Sequence, residues 1–155
     1  MGTYGRDEAP AERADRNWND LLQELRVTET GVQVLFSLLL TVPFSARFDA
    51  VTPFQRDVYF AALLLTAASN AALIAPVARH RTLFQQGVKP ELVQQASRLA
   101  LVGLVLLALA ITAVLLLVTD VLFETPLATA VATAFGVATL ALWFVPPLVR
   151  RARAG

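Results

Sequence analysis

Apolar and charged stretches alternate along the chain on a long period. Runs free of Asp, Glu, Lys and Arg extend over 17 residues between Glu29 and Arg47, 21 between Asp57 and Arg79, 21 between Arg98 and Asp120, and 25 between Glu124 and Arg150. A helix rises about 1.5 Å per residue and a hydrocarbon core is about 30 Å thick, so each run approaches one crossing. The pattern predicts an all-α protein, an integral membrane four-helix bundle with an N-terminal amphipathic segment. Its spans are expected at about 30–46, 57–78, 98–119 and 125–146. The third is the most apolar, with nine Leu, four Val and one Ile in residues 99–119. The first carries Gln33, Ser37, Thr41 and Pro43 and is expected to lean on the other helices.

Local signals set the helix ends. Thr52-Pro53-Phe54-Gln55 reads as an N-cap, a proline where no amide donor is needed, and a capping-box glutamine. The second helix should start there, the third near Pro90 and the fourth near Pro126. Pro43 should end or kink the first helix, Pro76 should bend the second, and Pro146-Pro147 should end the fourth. Trp18, Leu21, Leu22 and Leu25 recur at helical spacing against Arg16, Asp20, Glu24 and Arg26. That amphipathic segment either lies flat at the interface or runs straight into the first span. The expected organisation is a disordered tail over 1–14, one transmembrane domain over 15–150 and a basic tail over 147–155.

Composition narrows the class. Hydrophobic residues make up 56% of the 155 and charged ones 16%, with a mean hydropathy of +0.59, too little polar surface for a water-soluble domain. Without cysteine there is no disulfide, thiolate nucleophile or thiolate metal site, and a single histidine excludes a multi-histidine one. No phosphate loop, nucleophile elbow or paired carboxylates within a span occur, so neither an enzyme nor a cofactor is expected. A net charge of +1 gives no basic face for nucleic acid. Arg79, Arg81, Lys89 and Arg98 in one connector, with Arg150, Arg151 and Arg153 in the tail, predict that both termini lie on the cytoplasmic side of the membrane.

Three groups of residues are candidates for function. Thr30, Gln33, Ser37 and Thr41 form a polar stripe on the first helix, and Thr66 and Asn70 share a face of the second. Ser37 and Asn70 should lie at similar depth, so Gln33, Ser37, Thr66 and Asn70 are a candidate intramembrane cluster. It acts either as hydrogen-bond glue between helices or as a cavity for a small solute or ion. Arg79, His80 and Arg81 are candidate lipid headgroup contacts at the interface. Ala128, Ala132 and Gly136 form a small-residue packing face on the fourth helix. The central parts of the spans carry no ionisable group, which argues against a self-contained proton-coupled transporter.

Several local sequences carry a resemblance: Glu24-Leu25-Arg26-Val27, Thr30-Gly31-Val32-Gln33, Leu39-Leu40-Thr41-Val42-Pro43-Phe44, Gln55-Arg56 with Tyr59, and Ala75-Pro76-Val77 with His80-Arg81 and Phe84. Over roughly residues 17–120 the chain resembles a family of small four-helix membrane proteins, mostly actinobacterial, catalogued as a domain of unknown function. Some of its members are labelled sodium:proton antiporter. The resemblance implies the architecture and no established reaction.

The first functional expectation is a non-enzymatic membrane protein acting through helix packing. It would be a homo-oligomer or an accessory subunit of a membrane assembly, packed through helices two and four, and Gly136→Leu would break assembly while sparing insertion. The alternative is a transporter or channel component for cations or protons, with a path lined by helices one and two. The partners are the lipid bilayer and either a second copy or another membrane protein.

Overall fold

The computed structural model describes the backbone of residues 10–46, 48–83 and 89–154, and the side chains of most of them. Four helices account for nearly all of it: α1 (Pro10–Thr41), α2 (Pro53–Leu83), α3 (Lys89–Leu122) and α4 (Thr125–Ala154). Each contains an apolar stretch long enough to cross a membrane: Leu22–Phe44, Pro53–Ala78, Gln95–Leu122 and Thr125–Pro146.

The amphipathic segment runs straight on. α1 is one helix of 32 residues, about 48 Å long, so about a third of it lies outside its own apolar stretch. Its start at Pro10 falls inside the tail expected to be disordered, residues 1–9 of which lie outside the described residues. Proline suits the first helical position because the amide it lacks has no partner there. Two short 3-10 turns, Val42–Phe44 and Phe48–Ala50, lead from α1 to α2, and Phe123-Glu124 alone separate α3 from α4.

The N-terminal capping box of α2 forms as its sequence predicts. The Gln55 amide nitrogen donates to Thr52 Oγ1 at 3.2 Å, and the Thr52 amide donates to Gln55 Oε1 at 3.1 Å. Pro43 ends α1 at Thr41, and α3 and α4 start within one residue of the positions expected. α4 departs from expectation because it continues through Pro146 and Pro147 to Ala154. Prolines there remove the donors for the Leu142 and Trp143 carbonyls, but both residues are exposed at the end of the apolar stretch, where water replaces the lost bonds.

α3 is the central helix. It packs against α1, α2 and α4, whereas among the described residues α4 touches α3 alone. Helix two is a packing centre as expected, but helix four is not, and helix three takes its place. The physical reason is a row of small residues hidden among the leucines: Ala96, Ala100, Gly103 and Ala110 are buried at three-, four- and seven-residue spacing. They let α2 approach, leaving the intervening Leu101, Val102, Val105 and Leu109 exposed. On α1 the buried residues Leu25, Val32 and Leu39 recur every seven residues. The first two join Leu73 and Ala100 in one apolar cluster, and Leu39 joins Tyr59 and Ala62 in another.

Candidate functional site

The polar groups in the bundle fall into three sets, and the backbone explains each. The first holds the end of the bundle near the α1–α2 connection. The Leu39 carbonyl would accept from the amide four residues on, but that residue is Pro43 and has none. The Tyr59 hydroxyl supplies the missing donor at 3.0 Å, buried, with Phe48 edge-on to its ring at 5.4 Å between centroids. Next to this joint, Gln55 has a second task beyond the capping box. Its Nε2 donates to Asp120 Oδ2 at 2.9 Å, which ties the start of α2 to the end of α3.

The second set sits along the α2–α3 seam. Ser69 Oγ donates to the Gly103 carbonyl at 2.8 Å, and Thr66 Oγ1 donates back to the Ala62 carbonyl at 2.7 Å, both fully buried. Close approach makes the cross-helix bond reachable, and Gly103 permits it. A Cβ there would stand 2.7 Å from Leu73 Cγ and Cδ2.

The third set is the stripe on α1, and it turns away from the rest of the chain. Thr30, Gln33, Ser37 and Thr41 are exposed, whereas Leu25, Val32 and Leu39 carry the buried side of the same helix. Thr30 and Thr41 satisfy their hydroxyls on their own helix, at the Arg26 and Leu38 carbonyls. Gln33 and Ser37 make no side-chain hydrogen bond among the described residues. With Val34 and Leu38 they line an open groove.

The expected cluster of Gln33, Ser37, Thr66 and Asn70 is therefore not assembled within one chain. Gln33 and Ser37 face outward, Thr66 is sealed in the seam, and Asn70 is half-buried with its Oδ1 enclosed and unpartnered. Depth separates them as well. The Tyr59–Leu39 bond fixes an antiparallel register that sets Asn70 level with the region of Glu29, about 10 Å along the axis from Ser37. The expectation that Ser37 and Asn70 share a depth fails because it took Glu29 as the start of the first span. The apolar stretch begins at Leu22, and Glu29 lies seven residues inside it, with one carboxylate oxygen buried and unpartnered. The first span thus carries Glu29, and nearer its start Glu24 and Arg26, ionisable side chains that charge-free runs alone place outside it.

Ala128 and Ala132 are buried against α3, and a Cβ on Gly136 would stand 3.1 Å from Thr112. This small-residue face is consumed within the chain, so Gly136→Leu would disturb the α3–α4 contact before any contact between molecules. The backbone of Arg79, His80 and Arg81 belongs to α2, while their side chains lie outside the described ones. Among the described residues no group of three metal-ligating side chains occurs. Sequence reasoning passed over Ser69 and Gly103, and it named Tyr59 without its hydrogen bond. Of these only Tyr59 left a trace, since Pro43 announces that the Leu39 carbonyl needs another donor.

The model of a family of unknown function, DUF6328, matches residues 7–147, and the chain belongs to that family. No curated protein and no solved structure matches it.

Proposed function

We propose that this member of a family without an assigned reaction is a non-enzymatic integral membrane protein that works by associating with other helices in the bilayer. It acts as a homo-oligomer or as an accessory subunit of a membrane assembly. The reading rests on one observation: Gln33 and Ser37 stand on the exposed side of α1, inside its apolar stretch, with no side-chain hydrogen-bond partner among the described residues. Lipid tails offer neither donor nor acceptor, so another helix that carries polar groups is the partner that can engage both side chains.

The distribution of Lys and Arg supports a bacterial cytoplasmic membrane as the site, with both termini and the 79–98 connector on the cytoplasmic side. A transport path through Gln33, Ser37, Thr66 and Asn70 has less support, because within one chain the first two face away from the last two. The test is the size of the protein extracted from its native membrane in lipid nanodiscs. The wild type is expected in a complex larger than its 16.8 kDa chain, and Gln33→Leu with Ser37→Leu is expected to release the single chain while still inserting. A wild type that is already a single chain would refute association.

A further inference from the structure

We infer that the partner of the α1 stripe is the stripe of a second copy, joined side by side about a two-fold axis along the membrane normal. This names the partner for the association reading above and rests on it.

The spacing of the stripe leads there first. Thr30, Gln33 and Ser37 follow one another at three- and four-residue steps, the alternation that keeps one line of a helix facing a neighbour of the same kind. Two of the three are small, and the exposed Val34 and Leu38 flank them and provide van der Waals contact. The far side of the helix is already committed, since Leu25, Val32 and Leu39 pack against α2 and α3. One helix therefore offers two separate surfaces, and only the outward one lacks a neighbour.

The chemistry of the groups then selects the occupant. A primary amide is both donor and acceptor, so a Gln33 side chain complements another Gln33 side chain, and a serine hydroxyl likewise complements its own copy. A foreign helix would have to carry a matching group at the same depth. A second copy does so by construction, because every copy inserts in the same orientation and a two-fold axis along the normal sets residue against identical residue at equal depth. No like charges are forced together within the stripe, as Thr30, Gln33, Ser37 and Thr41 are all neutral.

The chain contains no cysteine, so single-cysteine variants report on one position at a time. The full chain is reconstituted in phosphatidylcholine–phosphatidylglycerol vesicles at low protein-to-lipid ratio and treated with a mild oxidant. Ser37→Cys is expected to give a disulfide-linked dimer, and Val137→Cys, which is exposed on α4, is expected to give none. By energy transfer between labelled chains, Gln33→Leu should weaken dimerisation about 3- to 20-fold, the range for one interhelical hydrogen-bond site in a membrane, and Gln33→Asn should retain it.

The outcomes separate the two claims. Monomeric wild type in native membranes and in vesicles overturns association and this inference together. Self-association without a Ser37→Cys cross-link, or with Gln33→Leu dimerising as tightly as wild type, overturns the α1 pairing and leaves association standing. Energy transfer that appears only when a different membrane protein is added also overturns the pairing.

Discussion

Gly103 is the residue at which the distance between two helices is decided. Any larger side chain puts a carbon 2.7 Å from Leu73, itself fully buried, so α2 and α3 would have to part and the Ser69 bond to the Gly103 carbonyl would stretch. Gly103→Ala is expected to destabilise the bundle by about 1–3 kcal/mol, as overpacking does in a filled interior. Thermal unfolding in detergent would measure it, and Leu73→Ala in the same chain should recover part of the loss. Gly31→Ala is the contrast: nothing of its own chain lies within 4 Å of the added carbon, so the higher helix propensity of alanine should leave the folded chain as stable or slightly more so. These two glycines were indistinguishable in the sequence. Each interrupts an apolar helix, and only the neighbour across the interface separates them. The capping box at Thr52 and Gln55 was legible because all its partners lie within four residues.

Between elements, the joint of α1 and α2 turns on an absent donor. Pro43 ends α1 and strips the Leu39 carbonyl of its helical partner, and the Tyr59 hydroxyl takes that place from the neighbouring helix. Tyr59→Phe keeps the ring against Phe48 and removes only the hydroxyl, leaving a buried carbonyl unpaired at a cost of about 1–3 kcal/mol. The mechanism predicts a specific coupling. In a Pro43→Ala background the restored amide can serve Leu39, so the cost of Tyr59→Phe should shrink there. A double-mutant cycle read by chemical denaturation in detergent that showed equal costs in both backgrounds would discard the explanation. Most helix ends were readable from prolines, yet Pro146 and Pro147 misled. A proline states what its own backbone cannot do, and the chain can still continue where water reaches the carbonyls left over.

At the scale of the molecule, α2 and α3 form the tightest pair, α1 lies against both, and among the described residues α4 is attached through α3 only. Hydrogen exchange in nanodiscs should therefore show the interfacial half of α4 opening at a lower free energy than the Ser69–Gly103 seam. Equal protection of the two would mean that α4 is held by contacts outside its own chain. The number of helices could be counted from the charge-free runs. Which helix stands at the centre could not, because the small residues of α3 are diluted among eleven leucines and composition weighs them by number, not by the face they share. The stripe on α1 was visible as a pattern, but its direction depended on which side of the helix Val32 and Leu39 claimed.

The attachment of α4 through its immediate predecessor has a consequence for biosynthesis. A nascent chain leaving the ribosome can complete the α1–α2–α3 core without waiting for α4, and only Phe123-Glu124 separate α4 from the helix it must meet. No long-range search is required of α4.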